Sequence, residues 1–190
     1  MNRKSLLLFF LTLVLILIFI LAQDESDADV QIYKSNIMGT SYSVTIHSKV
    51  DSQNTFFQVS NILNKINQDM STYIENSLIS RVNQSEIGQW TKVSKDFIEV
   101  LNYAIEICNQ SKGIYDVSIG KLVNLWGFGP DNVNSKPSKD DINYLTSQVG
   151  CDSVQTDVDS QSVRKVRDIE LDFSSIAKGF AIDKVYEFLV

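Results

Sequence analysis

From Leu6 to Ala22 the chain is apolar at every position except Thr12, so no polar face can be read from this run. A helix of that length spans about 26 Å, near the lower limit for crossing a bilayer. Beyond the acidic stretch 24–30 the pattern changes to a period of two. Tyr42, Val44 and Ile46 alternate with polar residues, which predicts two half-buried strands over Gln31–His47, joined by a tight turn at Met38-Gly39-Thr40. Helical spacing follows at Phe56, Val59, Ile62, Leu63, Ile66 and Met70, and that helix is expected to end near Ser71-Thr72. Residues 73–93 show no period and read as irregular. A second helix starts after Ser94, a capping residue, buries Phe97, Ile98, Leu101, Ile105 and Cys108, and stops at Gly113. Loop surrounds one short apolar helical turn, Leu122 to Trp126, whose Trp126, with Phe128, is expected to pack in the core. Ser138-x-x-Asp141 resembles a capping box and opens a short helix carrying Ile142, Leu145 and Val149. Residues 153–158 and 162–167 can pair as a hairpin. Ile169 to Phe173 alternates as a last strand, and a last helix runs from Ser175. Strands and helices mix without a regular βαβ repeat, so the expected fold class is α+β, with antiparallel strands and flanking helices.

Charge refines the reading of the apolar run. Arg3 and Lys4 precede it, whereas all 23 acidic residues of the 190-residue chain follow it. Bases before and acids after place the N-terminus in the cytoplasm and the rest outside. Residues 1–23 are therefore a membrane anchor or a signal sequence, 24–30 an acidic linker, and 31–190 the folded part. The expected location is the inner membrane, through a single N-terminal helix, with the domain on the extracytoplasmic side. A formal net charge of −6 argues against nucleic acid as a partner. The single histidine, His47, lies on the polar phase of a strand, so neither a His-based metal site nor a His-dependent triad is available. Export permits a bridge between Cys108 and Cys151. Cys108, however, falls on an apolar helix face, where a buried free thiol is expected. At Glu187-Phe188-Leu189-Val190 the pattern is still helical with no stop signal, and the chain is expected to continue beyond it.

The chemistry concentrates at LDFSSIAKGFAID, Leu171 to Asp183, where a strand is expected to run into a helix. Ser174 or Ser175 can cap that helix, and a cap is one sufficient account of the motif. A second account is a site for a phosphorylated ligand. Helix N-termini leave amides unpaired and attract anions. Lys178 lies one turn inside and can reach a phosphate as a point charge. Gly179 in a helix costs about 1 kcal/mol against alanine, which predicts a close approach there. Asp172, on the opposite phase from Leu171 and Phe173, is expected to point away from the core. A carboxylate so placed suits a ligand or a hard metal.

Four segments, spread over residues 38–183, resemble the ApbE family of FAD:protein FMN transferases. LDFSSIAKGFAID is similar to its D-L/F-x-x-I-A-K-G-Y/F-A-x-D signature. Met38-Gly39-Thr40 with Tyr42 resembles M-G-T-x-Y. Met70-Ser71-Thr72-Tyr73, followed by Ser77, Ile79-Ser80-Arg81 and Asn83, resembles M-S-T-Y-x-x-x-S-x-I-S-R-x-N. Tyr115 to Gly120 and Leu122 to Gly129 resemble Y-D-x-T-V-G-P-L-V-N-L-W-G-F-G, with Ser118 in place of threonine and Lys121 in place of proline. The resemblance implies the N-terminal part of a magnesium-dependent enzyme. Such an enzyme cleaves FAD, joins FMN to a threonine of a target protein through a phosphoester, and releases AMP. It implies an FAD site at Met38, Tyr73, Ile114, Tyr115, Asp116, Asp172 and Lys178. Ser175 corresponds to a position that supplies a metal ligand through its backbone oxygen. The remaining ligands, an Asp and a Thr of a D-A-x-x-T segment, are expected beyond Val190, so residues 24–190 by themselves are expected not to transfer FMN. Flavin-accepting subunits of membrane redox complexes are the implied partners. Each residue also has a plainer reading: Tyr73 as a core tyrosine, Asp116 as a turn carboxylate serving Ser118. Two other activities fit the same segments: an FAD pyrophosphatase, in which water accepts the FMN phosphoryl, and a membrane-tethered flavin-binding module without catalysis.

Overall fold

The computed structural model describes residues 3–22, 30–47, 52–131 and 136–190, and within 3–22 the side chains of Ser5 and of residues 9–18. Residues 24–29 of the expected acidic linker lie outside the described residues; Val30 already opens a strand. The chain forms two compact units, residues 1–35 with 42–56 and residues 36–41 with 57–190.

In the smaller unit, α1 (Arg3–Ala22) is helical as its uniform apolarity requires. Among the described residues no helix is long and apolar enough to cross a membrane. The span expected over Leu6–Ala22 therefore has no support from the described residues. Strands β1 (Val30–Ile37) and β2 (Thr40–His47) pair, and each alternates exposed and half-buried positions. Tyr33 stacks on Phe56 with ring centroids 5.1 Å apart.

The hairpin turn belongs to the larger unit. Met38 and Gly39 both sit in the left-handed region, at φ 51° and 70°, which suits the twist of a two-residue hairpin. The core of this unit is built on two helices. α2 (Ser52–Met70), which begins in the smaller unit, buries Val59, Leu63, Ile66 and Met70. α4 (Lys95–Gln110) buries Phe97, Ile98, Leu101, Ala104 and Cys108, and Phe97 meets Phe173 at 5.0 Å. Ser94 caps α4, accepting from the Phe97 amide at 3.1 Å, and donates to Asp69 of α2 at 2.6 Å. Gly113 ends α4 at φ 80°, its amide donating to the Cys108 carbonyl. Both helix signals stand as read.

Residues 73–93 are not irregular. They hold α3 (Leu78–Gln84), capped by Ser77, and the short strand β3 (Thr91–Lys92). α3 buries Ile79 and Val82, and so short an element offers no period to detect. α5 (Gly120–Leu125) is the expected apolar turn. α6 (Lys139–Gln148) begins at the expected capping box, where Ser138 accepts from the Asp141 amide and donates to its carboxylate. The expected hairpin is β4 (Val154–Asp157) and β5 (Ser162–Lys165), antiparallel, and β3 pairs on the other side of β5.

The segment 169–173 forms no strand of a sheet: one parallel bridge, Ile119 to Glu170, is all that joins it to a neighbour of that kind among the described residues. The last helix, α7, is Ala177–Leu189 rather than starting at Ser175, and no side chain caps it. Neither Ser174 nor Ser175 serves as its cap. Cys108 is not a free thiol. It is bonded to Cys151 with a Cα–Cα distance of 5.6 Å, because the turn after α6 returns to the end of α4. An apolar helix position and a bridge are compatible here because the half-buried Cys151 reaches the buried Cys108.

The bridge closes a loop with a sequence separation of 43. Its chain-entropy contribution is about 4 kcal/mol. Reduction with dithiothreitol, or Cys151→Ser, is expected to lower the melting temperature by roughly 10 °C, measured by circular dichroism. An unchanged melting curve after complete reduction would contradict this.

Candidate functional site

Two adjoining cavities in the larger unit share Thr72 and Tyr73 as a common wall. The first, about 630 Å³, is mainly apolar and is lined by Met38, Met70, Tyr73, Phe128 and Lys178 among others. The second, about 370 Å³, is more polar and is lined by Asn83, Glu170 and Asp172 with Glu75 and Asp131.

Tyr73 owes its place to the turn that follows α2. Ser71 Oγ accepts from the Tyr73 amide at 3.3 Å, and Ser80 Oγ donates to the Ile74 carbonyl at 2.8 Å. The turn is held from α3, and the Tyr73 ring projects outward, 66% exposed. Its hydroxyl donates to the Phe128 carbonyl at 2.9 Å. Tyr73 is thus no core tyrosine. Phe128 and Trp126 are also exposed, not packed in the core as expected. The chain reverses after α5 through Gly127 at φ 75°, with the Phe128 amide returning to the Val123 carbonyl, and this turns both rings out of the interior. At 129 a Cβ would meet the Asn124 side-chain amide oxygen at 1.7 Å, so any other residue must displace that amide from Glu170.

Asp172 is buried, with 8% of its surface exposed, which overturns the expectation that it points away from the core. Its Oδ1 accepts from the Ser174 amide at 2.6 Å and shapes the turn that leads into α7. It lines the second cavity, while Lys178, exposed, lines the first. The two residues of the motif therefore serve different cavities. Gly179 has no close neighbour: a Cβ there would meet nothing within 4 Å. It lines a third cavity, between α4 and α7, together with Ser175. Ile114 is 93% exposed and, like Tyr115 and Asp116, lines none of these cavities. Asp116 accepts from the Ser118 amide at 2.8 Å, a turn role. Tyr115 is tied to the junction through its hydroxyl, which accepts from Ser175 Oγ at 3.2 Å.

Among the described residues no group of three or more His, Cys, Asp or Glu side chains is placed to hold a metal ion. Asp172 has one oxygen committed to Ser174, and Ser175 lines a different cavity. Magnesium favours octahedral oxygen coordination, and these residues do not make up such a site.

Glu170, which lines the second cavity, belongs to a group of charges with Lys121, Lys165 and Asp168. Gly120 lets α5 approach Glu170 closely: a Cβ there would stand 2.8 Å from the Glu170 carbonyl oxygen. Burial raises the Glu170 carboxyl above its usual range, against the pull of Lys121, and Asn124 donates to it at 3.0 Å. Lys121 pairs with Asp168 at 2.6 Å. Lys165, 4% exposed, donates to the Asn83 carbonyl; burial lowers its pKa, and Lys121 adds to that, while Asp168 and Glu170 oppose. A signal for Lys165 was present, since it shares a strand face with the buried Val163.

A family model described as the ApbE family matches residues 38–190. A curated protein of Haemophilus influenzae named FAD:protein FMN transferase is 33% identical over 176 residues, covering 88% of this chain and 51% of its own length. One of the same name from Vibrio cholerae is 30% identical, covering 90% of this chain and 52% of its own. The chain thus spans about half the length of the curated relatives it matches. A solved structure of the Pseudomonas stutzeri flavinyl transferase ApbE superposes with a TM-score of 0.80 at 28% identity, covering 87% of this chain and 56% of that one. The flavin transferase ApbE from Vibrio cholerae gives 0.77 at 29% identity, covering 84% and 53%.

The buried Lys165 ammonium generates a pH dependence. Its folded pKa is lowered from 10.5, so between the folded value and 10.5 the unfolded chain binds more protons. Its contribution to stability therefore rises with pH across that window. Lys165→Met removes this titrating group. In thermal melts from pH 8 to 11 the native protein is expected to gain on the variant as pH rises; parallel curves would show that Lys165 keeps its ordinary pKa.

Proposed function

The chain belongs to the ApbE family, and we propose that it forms the N-terminal part of a flavin transferase acting on FAD. In the proposed reaction a threonine hydroxyl of a target protein attacks the FMN phosphorus. The pyrophosphate P–O bond breaks, AMP leaves, the hydroxyl proton is lost, and FMN remains on the threonine as a phosphoester. The observation that carries the reading is the cavity of about 630 Å³ in which Tyr73, Phe128 and Lys178 converge beside the uncapped start of α7.

Each group has a role that follows from its chemistry. Tyr73 and Phe128 present exposed rings for stacking against a planar heterocycle, and Met38 and Met70 add apolar wall. Lys178 supplies a positive charge for phosphate, and the first amides of α7 add the helix's partial charge. Phosphoryl transfer depends on positioning and charge neutralisation more than on covalent help from the protein. Asp172 acts at the neighbouring cavity and through the turn it holds. The segment Ile114 to Asp116 enters through Tyr115, bonded to Ser175. Magnesium dependence belongs to the proposal, with the Ser175 backbone oxygen as this segment's donor. Flavin-accepting subunits of membrane redox complexes are the proposed acceptors.

The proposed location is outside the cytoplasm, with Leu6–Ala22 as the tether. The Cys108–Cys151 bridge supports that reading, since disulfides persist in oxidising compartments. Protease added to spheroplasts is expected to digest a membrane-bound form. Protection of the domain inside the cell would overturn the location, and release as a soluble form would overturn the tether.

Titration of FAD fluorescence with the purified chain is expected to show binding that Lys178→Ala weakens by about tenfold, ~1.4 kcal/mol, with little change in melting temperature. With a full-length protein, FAD and magnesium supplied, flavin fluorescence retained on a threonine-bearing acceptor after denaturation identifies transfer. Free FMN and AMP without labelled acceptor would replace transferase with pyrophosphatase. Normal FAD affinity in Lys178→Ala would remove Lys178 from the site.

A further inference from the structure

Leu171 is fully buried, yet it has no neighbouring strand to receive its backbone groups. One side chain serves both of them. Asn83 Oδ1 accepts from the Leu171 amide at 2.7 Å, and Asn83 Nδ2 donates to the Leu171 carbonyl at 2.9 Å. At neutral pH a primary amide gives one acceptor and one donor in this geometry, which a carboxylate cannot. Asn83 is itself held firmly. It sits on α3 next to the buried Val82, and its own backbone carbonyl receives the Lys165 ammonium.

We infer that Asn83 is a positioning residue, whose amide fixes the Leu171 peptide and through it the Asp172 carboxylate and the turn that presents Lys178. The chain of contacts is continuous. The Glu170 carbonyl accepts from the Gly120 amide and the Asp172 amide donates to the Val117 carbonyl, both at 2.8 Å, so the peptides on either side of Leu171 are also pinned. Asp172 Oδ1 then holds the Ser174 amide at 2.6 Å, three residues before α7 begins. Asn83 and Asp172 line the same cavity. With the amide removed, two buried backbone groups lose their partners, and the segment must shift toward water to recover them. Asp172 moves with it. Asn83 acts on the ligand through Asp172, not by direct contact. The inference rests on the FAD-binding reading for its ligand readout only.

Hydrogen exchange on the 190-residue chain tests the positioning without any ligand. In Asn83→Ala the Leu171 and Ser174 amides are expected to lose protection by at least about tenfold, while Leu101 and Ala104 on α4 keep theirs. Asn83→Asp gives a signature that simple destabilisation would not. Its carboxylate accepts from the Leu171 amide but repels the Leu171 carbonyl, and protonation restores the donor. Protection factors at Leu171 and Ser174 are therefore expected to be low at pH 7 and to recover toward pH 5, relative to the native chain at each pH. FAD affinity should fall with them, and Asn83→Ala combined with Asp172→Ala should weaken binding no more than the larger single change. Unchanged Ser174 protection in a folded variant, or additive losses of FAD affinity, would overturn the inference. If Asn83→Ala does not fold, the pH response of Asn83→Asp decides. If the native chain binds no FAD, the proposed function fails, and exchange at Ser174 still decides the role of Asn83.

Discussion

The segment from Ile169 to Phe173 runs through the interior with its backbone polar groups to be satisfied, and the surroundings of both cavities are arranged by that need. A buried N–H or C=O left without a partner costs on the order of 1–3 kcal/mol. Here the partners come from three directions: the 117–120 loop, the Asn83 side chain, and the Ile176 and Ala177 amides, which donate to the Phe173 carbonyl as α7 starts. The same bonds bring α3, α5 and α7 to one place. The junction motif is therefore held by distant parts of the chain rather than by a cap of its own.

Charge follows the same frame. Burial acts oppositely on the two groups beneath the second cavity, favouring neutral forms of both Lys165 and Glu170, while Lys121 and Asp168 form a more exposed pair beside them. The Lys165 ammonium ends on the Asn83 carbonyl, so this charged cluster and the satisfied backbone of Leu171 meet at a single residue. On the far side of Tyr73 the first cavity is less polar, with Lys178 as its cation. This separation of an apolar, ring-lined space from an acidic one gives the proposed FAD site its direction.

The loop between Cys108 and Cys151 carries Tyr115, Asp116, α5 and Phe128, and it is secured at both ends. Ser118, buried, accepts from the Gly150 amide at 3.1 Å close to the bridge, and Gly120 meets Glu170. Covalent and hydrogen-bonded ties thus carry one wall of the first cavity, through Phe128, back to the core under the second.

Local order was legible in the sequence wherever a signal was complete within a few residues. The hairpin turn at Met38-Gly39, the apolar faces of α2 and α4, the caps at Ser94 and Ser138, the stop at Gly113 and the β4–β5 hairpin all depend on near neighbours. Of the residues to which the family resemblance pointed, Met38, Tyr73, Asp172 and Lys178 line cavities, whereas Ile114, Tyr115 and Asp116 line none of them. What the tertiary structure decided were the pairings between distant residues. Ile169 to Phe173 alternates like a strand, but a strand needs a neighbour, and its neighbour here is largely one amide some ninety residues earlier. Cys108 had the periodicity of a buried helix position, and its partner was set by where α6 returns. Trp126 and Phe128 are apolar enough for a core, yet Gly127 turns them outward. Asp172 had the phase of an exposed carboxylate and is buried because Ser174 must be held. A one-dimensional pattern records which residues prefer to leave water; which groups satisfy one another after they have done so depends on contacts between elements far apart in the chain.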